Sequence, residues 1–166
     1  MKCVFFDRDG TLNVDKDYLY RIEDFQWVPE ALEALQYLKE RGYVFFVVTN
    51  QSGIARGYYQ EEDMHRLHAY MNEQLAQAGL KIERFYFCPH HPKGPVKKYM
   101  VDCSCRKPKS GMLEQCFAQY DVDKEHSFLI GDKDRDLEAG EAVGIRGYKY
   151  EGGSLLDFVK TLPGLD

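Results

Sequence analysis

The strongest constraint on the fold is an alternation of short apolar runs with longer segments of helical periodicity. The apolar runs are rich in aromatic and β-branched residues, which predicts β-strands. The predicted strands are KCVFF (2–6), YVFFVVTN (43–50), IERFYFC (82–88), SFLIGD (127–132) and residues 145–150. In the second of these runs the apolar residues are consecutive, as they are in strands covered on both faces of a sheet.

Apolar residues recur at helical spacing in the segments that separate these strands. The predicted helices cover 28–42, 60–78, the segment after Ser110, 134–143 and, more weakly, 154–162. Alternating strands and helices predict an α/β fold, Rossmann-like, with a central parallel sheet between two layers of helices. A chain of 166 residues is expected to form one domain, 1–166.

The composition argues against several classes of protein. A formal net charge of −5 gives no footprint for nucleic acid or for an anionic membrane surface. The longest apolar run is too short to span a bilayer, and Asp7 interrupts the first run too early for a signal peptide. We therefore expect a cytoplasmic protein without membrane or nucleic-acid partners, and, because no exposed apolar stripe is evident, a monomer.

Polar residues capable of chemistry follow the predicted strands directly. They are Asp7-Arg8-Asp9 after the first strand, Thr49-Asn50-Gln51-Ser52 at the second, Gly131-Asp132-Lys133 at the fourth, and Arg106-Lys107 before the third helix. Each motif alone is also typical of a turn or a solvated loop. In a parallel sheet, however, ligands bind beyond the carboxyl ends of the strands, where the strand order reverses. We therefore expect these residues to converge on one site.

Phosphoryl transfer is the chemistry that such a set supports. Asp7 would act as the nucleophile and form an aspartyl-phosphate, and Asp9 would act as the general acid and base. Asp132 adds a carboxylate from another strand, and a carboxylate-rich site suits Mg²⁺. Thr49 and Lys107 would hold the oxygens of the phosphoryl group in transit.

The same stretches resemble the four motifs of the haloacid dehalogenase-like phosphatases. The resemblance is carried by DRDGTLN, TNQSGIARG, CRKPKSGM and GDKDRDLEAG, and it extends over about residues 2–150. It implies that Asp7 is the nucleophile, that Asp9 is the acid–base, and that both hold magnesium together with Asp132. It also implies that Asp136 supports this site or is a weaker ligand of the metal.

A cluster of cysteine and histidine residues precedes the third of these motifs. Cys88, His90, Cys103 and Cys105 would form a closed tetrahedral set, which fits a structural zinc ion. His91 is the rival ligand to His90, and ordinary cysteines without a metal are the alternative. An odd number of cysteines, five, argues against a disulfide framework.

This predicted zinc loop resembles the corresponding loop in one branch of the family, whose members act on heptose bisphosphate or on histidinol phosphate. In that branch the loop stands near the active site in place of a large cap domain. The longer middle segment here is closer to the enzymes of heptose biosynthesis, for lipopolysaccharide or nucleotide-linked heptose, which release the 7-phosphate. The resemblance and the strand-end positions lead us to expect substrate contacts from Asp15, Tyr18, Thr49, Asn50, Gln51, Ser52, Arg106, Lys107 and Lys133.

Two alternatives stay open at the level of sequence. The first is the same phosphatase chemistry acting on histidinol phosphate. That substrate carries a cationic amine, so a basic cleft would favour the sugar bisphosphate instead. Lys93, Lys97 and Lys98 make the predicted zinc loop basic. A catalytically silent zinc-binding module is the other alternative.

His65 and His68 lie three residues apart on a predicted helix and are interpreted as solvent-facing or half-buried.

Overall fold

A five-stranded, all-parallel sheet organises residues 1–165, the part of the chain that the computed structural model describes. Its strands are β1 (Lys2–Phe6), β2 (Tyr43–Asn50), β3 (Arg84–Cys88), β4 (Phe128–Gly131) and β5 (Arg146–Lys149). Their order across the sheet is β3-β2-β1-β4-β5. The predicted α/β class and all five predicted strands are confirmed.

Five helices cover the two faces of this sheet. They are α1 (Ala31–Glu40), α2 (Glu61–Ala76), α3 (Gly111–Gln119), α4 (Asp134–Glu141) and α5 (Leu155–Lys160). Each lies within its predicted range but is shorter; α1, for example, begins only at Ala31 because Glu30 takes a left-handed conformation with φ of 57°. No helix within residues 1–165 is both long and apolar enough to cross a bilayer.

The three central strands β1, β2 and β4 are buried on both faces, as their consecutive apolar residues require, whereas the edge strands β3 and β5 are partly exposed. Val4 of β1 packs into the layer formed with α1, α2 and α5, whereas Phe5 packs into the layer formed with α3 and α4. Cys3 and Cys116, which are typical of small core residues in their apolar segments, are fully buried in this second layer. Burying a side chain the size of valine or phenylalanine contributes about 1.5–3 kcal/mol, so both layers hold the sheet.

The position of β1 in the middle of the sheet determines where a site can form. Phe6, its last residue, pairs with Val47 of β2 on one side and with Ile130 of β4 on the other. The chain moves outward from β1 to β2 and β3, and then returns to place β4 on the opposite side. The carboxyl ends of β1, β2 and β4 therefore meet where the strand order reverses.

Candidate active site

The predicted strand-end residues converge around the ammonium group of Lys107. Lys107 Nζ lies 2.9 Å from Asp7 Oδ1 and 2.6 Å from Asp136 Oδ1, and it donates a hydrogen bond of 2.8 Å to the carbonyl of Val48. The side chain of Lys107 is only 2% exposed. One buried cation thus joins β1, β2, α4 and the loop before α3.

Burial and ion pairing act in opposite directions on these groups. Burial raises the pKa of Asp7 to about 7, although the charge of Lys107 acts to lower it. Burial acts to lower the pKa of Lys107, but the carboxylates of Asp7 and Asp136 outweigh it and hold that pKa above its ordinary value. Asp7 Oδ1 also accepts a hydrogen bond of 2.9 Å from the backbone N–H of Arg8. The carboxylate of Asp7 is therefore held in one orientation.

Three carboxylates form a set that could hold a metal ion. Asp7, Asp132 and Asp136 each place a carboxylate oxygen within 4.8 Å of the others. Asp132 Oδ1 is buried and has no hydrogen-bond partner among residues 1–165. A buried, unsatisfied carboxylate oxygen beside two further carboxylates favours a bound cation, and oxygen ligands of this kind suit Mg²⁺.

The three carboxylates differ in how they are held. Asp136 is fully buried, and its Oδ2 accepts a hydrogen bond of 3.0 Å from the backbone N–H of Lys133 at the start of α4. Because its other oxygen faces Lys107, Asp136 serves the site chiefly by orienting that lysine. The carboxylate of Asp9 is not among the three, and a role for Asp9 as a metal ligand stays a prediction.

The carboxylate of Asp9 is instead surrounded by donors. Arg8 donates from Nε to Oδ2 (3.2 Å) and from Nη2 to Oδ1 (3.1 Å). Asn13 Nδ2 donates to Oδ1 at 3.0 Å, and Gln51 Nε2 donates to Oδ2 at 3.1 Å. Tyr59 in turn donates its hydroxyl hydrogen to Gln51 Oε1. These four hydrogen bonds fix the orientation of Asp9 at the mouth of the site.

The residues at the end of β2 divide their roles. Gln51 Nε2 donates 2.8 Å to Thr49 Oγ1, so the orientation of the buried Thr49 hydroxyl is fixed at the end of β2. Asn50 exchanges two hydrogen bonds with the backbone of Lys107, at 3.2 and 3.0 Å, and so holds the loop before α3 against β2. Asn50 and Gln51 therefore also hold other parts of the site in place, which the sequence motif alone does not reveal.

A cavity of about 250 Å³ opens above these groups. Of the predicted substrate residues, it is lined by Asp15, Tyr18, Asn50, Gln51, Ser52 and Arg106. Asp9 also lines it, and so do two arginines that were not predicted, Arg56 and Arg135. Lys133 is not among the lining residues; its Nζ lies 3.8 Å from Asp132 Oδ2.

The predicted zinc ligands converge as a second metal-type cluster, at the start of the loop that delivers Arg106 and Lys107. The Sγ atoms of Cys88 and Cys105 are 2.7 Å apart, and that of Cys103 lies 3.4 and 3.3 Å from them. His90 Nδ1 is 3.4 Å from Cys105 Sγ. His91 points elsewhere and accepts from the backbone of Lys93, so His90 is the histidine of the cluster.

The thiols of this cluster do not behave as isolated groups. The close contact with the Cys88 sulfur lowers the pKa of Cys105 to about 5, although burial acts to raise it. The thiolate is the form that binds metals. All five cysteines are free, so no disulfide competes for these sulfurs.

Comparison with known proteins agrees with this geometry. The sequence matches the family model described as Polynucleotide kinase 3 phosphatase over residues 2–143. It is 46% identical over 145 residues to the D-glycero-beta-D-manno-heptose-1,7-bisphosphate 7-phosphatase of Pasteurella multocida (strain Pm70), covering 87% of this chain and 78% of that protein. The chain belongs to the haloacid dehalogenase-like phosphatases.

Two further proteins place this phosphatase within the family. It is 44% identical over 139 residues to the D-glycero-alpha-D-manno-heptose-1,7-bisphosphate 7-phosphatase of Campylobacter jejuni, covering 84% of this chain and 76% of that one. Its fold is similar to the structure of D,D-heptose 1.7-bisphosphate phosphatase from B. bronchiseptica complexed with magnesium and phosphate. The TM-score is 0.81 at 30% identity, covering 98% of this phosphatase and 88% of that chain.

Several residues of the site were missed by sequence analysis. Arg8 and Asn13 donate hydrogen bonds to the carboxylate of Asp9. Tyr59 donates to Gln51, which in turn donates to Asp9. Arg8 stands between the two aspartates of the first motif, so its position was a usable signal. Asn13 ends the DRDGTLN motif, but nothing in the sequence signals its contact with Asp9 or that of Tyr59 with Gln51, because both contacts depend on how the loops fold back.

We expect Lys107→Met to lower the free energy of unfolding by about 3 kcal/mol, because it leaves two buried carboxylates without their cation. Adding Asp136→Asn should restore part of that loss, since a single carboxylate then remains at this point. Urea unfolding of both variants, at pH 8 and without magnesium, measures the effect. A single variant as stable as the unmodified protein would show that Lys107 does not hold these elements together.

Proposed function

We propose that this phosphatase hydrolyses the 7-phosphate of D-glycero-D-manno-heptose 1,7-bisphosphate through an aspartyl-phosphate on Asp7. The observation that carries the proposal is the arrangement around Asp7. Its carboxylate is oriented by Lys107 and the backbone of Arg8 at the point where the strand order reverses, beside the unsatisfied oxygen of Asp132. The names of the related proteins support the substrate.

The residues of the site suggest the following course. Asp7 Oδ1 is engaged by two donors, so the attack on phosphorus falls to Oδ2, and the bond from phosphorus to the sugar oxygen breaks. Asp9 gives a proton to the departing oxygen and then takes one from the water that cleaves the aspartyl-phosphate. Thr49 Oγ1 and Lys107 Nζ hold the phosphoryl oxygens.

The carboxylates of Asp7 and Asp132 are the groups that would hold magnesium, with Asp136 behind them. When bound, the ion supplies positive charge that neutralises the oxygens of the phosphoryl group. The unsatisfied Oδ1 of Asp132 is the feature of this chain that favours such an ion.

Three arginines favour a substrate with two phosphates over histidinol phosphate. Arg56, Arg106 and Arg135 line the cavity above Asp9. Within residues 1–165, none of the three has a carboxylate oxygen within 4.0 Å, and Arg56 Nε is buried without a hydrogen-bond partner. Guanidinium groups that line one cavity and form no ion pair suit a second phosphate, which each can bind with two parallel hydrogen bonds. They disfavour a cationic amine, although Asp9, Asp15 and Asp17 line the same cavity.

From the sequence, the basic zinc loop is expected to distinguish a sugar bisphosphate from histidinol phosphate. The lysines of that loop do not lie where this expectation requires. Lys93, Lys97 and Lys98 are exposed, and they are not among the residues that line the cavity above Asp9. The support for a bisphosphate therefore comes from arginines on three separate segments rather than from these lysines.

We further propose that Cys88, His90, Cys103 and Cys105 hold a structural zinc ion. Three sulfurs and one imidazole nitrogen that converge on one point match the ligand set of closed zinc sites. The loop they would close continues directly into Arg106 and Lys107. Zinc would thus fix the residues that bind phosphate without taking part in the chemistry.

The substrate is tested by measuring phosphate release with Mg²⁺ from each anomer of heptose 1,7-bisphosphate and from histidinol phosphate. We expect one heptose anomer to be preferred, with the 1-phosphate retained in the product. Asp7→Asn should lower turnover by at least about 10³-fold, because the nucleophile is lost.

Preference for histidinol phosphate would contradict the proposed substrate while leaving the mechanism intact. An active Asp7→Asn variant would contradict the covalent mechanism. If no substrate released phosphate, the silent zinc-binding module would be the better description.

The arginine site is tested by Arg135→Gln. Because Arg135 is exposed on α4, the variant should fold normally, and we expect KM for the bisphosphate to rise about 10-fold through loss of one charge-assisted contact. Activity on p-nitrophenyl phosphate, which has no second phosphate, should change little. Arg146→Gln, on exposed β5 and away from the cavity, is the control; equal losses on both substrates would argue against a phosphate site.

The zinc site is tested by a matched pair of neighbouring histidines. His90→Asn should lose zinc, measured by metal analysis, and should lower activity about 10-fold because the loop that carries Lys107 is released. His91→Asn should retain both. If the two variants kept the same zinc content, the assignment of His90 would be wrong.

A further inference from the structure

Arg8, between the two catalytic aspartates, is one of the most buried side chains of the protein. It is only 1% exposed, and arginine is rarely buried to this extent unless each of its donors has a partner. Nε and Nη2 bind the two oxygens of Asp9, and Nη2 also donates 3.0 Å to the carbonyl of Leu19. Leu19 follows the segment that lines the cavity, so this guanidinium joins that segment to Asp9.

The remaining nitrogen of Arg8, Nη1, is directed at His68. Arg8 Nη1 lies 3.2 Å from His68 Nε2 in the protein interior. A guanidinium has no acceptor atom, so the contact is a hydrogen bond only if Nε2 carries a free lone pair and the imidazole is neutral. Burial, and then the charge of Arg8, hold the pKa of His68 well below its ordinary value, which is consistent with that form.

His68 is itself held rigidly. Its ring stacks on that of Phe85 in β3, with centroids 4.1 Å apart and planes inclined by 8°. It is 5% exposed, so its interpretation as a solvent-facing or half-buried residue was wrong. The nearby His65 is exposed, as predicted, and its ring centroid lies 5.3 Å from that of Phe87, with the two planes inclined by 86°.

We propose that His68 is a positioning residue for Asp9 and acts through Arg8. Two of the four hydrogen bonds that orient Asp9 come from the guanidinium of Arg8. The carbonyl of Leu19 holds that guanidinium at Nη2, and His68 anchors its far end at Nη1. A guanidinium without this anchor can rotate, and Asp9 then presents its proton in the wrong direction. The inference rests on the role of Asp9 in the proposed function.

Two substrates with different leaving groups can distinguish the positioning of Asp9 by His68 from a general effect on structure. A sugar alkoxide is a poor leaving group and depends on the proton from Asp9, whereas p-nitrophenolate departs without one. General acid catalysis contributes about 10²–10⁴-fold, so misdirecting Asp9 should reduce only the first of these reactions strongly. The parameter to compare is kcat/KM, which covers the steps up to formation of the aspartyl-phosphate.

The test compares His68→Gln with His68→Asn. The amide oxygen of glutamine can reach the position of Nε2, while that of asparagine stops about one bond length nearer to the helix. We expect His68→Asn to lower kcat/KM for heptose 1,7-bisphosphate about 10–100-fold and that for p-nitrophenyl phosphate no more than about 2-fold. His68→Gln should retain most activity on both, and His65→Asn serves as the control.

Three results would overturn the proposal: equal losses on the two substrates, no loss in His68→Asn, or equal impairment of both variants. If His68→Asn does not fold, His68→Phe keeps the stacking on Phe85 without the acceptor and is expected to show the same selective loss. If the heptose is not a substrate at all, the proposed function fails separately. The comparison is then made with any sugar phosphate that the unmodified protein hydrolyses.

Discussion

The ion pairs of Lys107 are the interactions on which the rest of the site depends. A lysine and two aspartates lose their hydration when they are buried, and that loss is offset only while the three groups stay in contact. Asp7 follows the central strand, Asp136 lies in the first turn of α4, and Lys107 comes from a loop. Any movement of one element therefore leaves a buried charge without its partner, which makes the alignment of the three elements an energetic requirement.

The loop that carries Lys107 has little regular secondary structure, so further interactions are needed to fix its position. One is the reciprocal hydrogen bonding with Asn50 at the end of β2. Another is the cluster of Cys88, His90, Cys103 and Cys105, which closes the loop just before Arg106. Both restraints lie outside the reacting atoms, yet both determine where the ammonium group stands relative to Asp7.

The sequence predicted the parts of the molecule that depend on local pattern. Consecutive apolar residues and helical spacing are enough to recognise the sheet and its helices, and the order of the strand-end motifs is enough to locate Asp7, Thr49 and Asp132. The burial of His68 could not be predicted, because a histidine at helical spacing is compatible with either environment. Its partner Arg8 is 60 residues away in the chain, and only the packing of α2 beside β3 brings them together.

The same limit explains the arginines of the cavity. Arg56 and Arg135 lie on segments that are distant in sequence, and each reads as an ordinary surface residue when taken alone. Their shared cavity exists only once β2 and β4 have paired with opposite sides of β1. Charge at the mouth of the site is thus a property of the assembled sheet rather than of any one motif.

The central place of β1 also has a consequence for biosynthesis. β1 leaves the ribosome first, yet one of its two neighbours, β4, begins only at residue 128. At roughly 5–20 residues per second, the nascent chain holds Asp7 for roughly 6–25 s before Asp132 has been added. During that interval one edge of an apolar strand has no partner strand. The site therefore cannot be complete until Asp132 has been added, and an unpaired apolar strand edge favours aggregation until then.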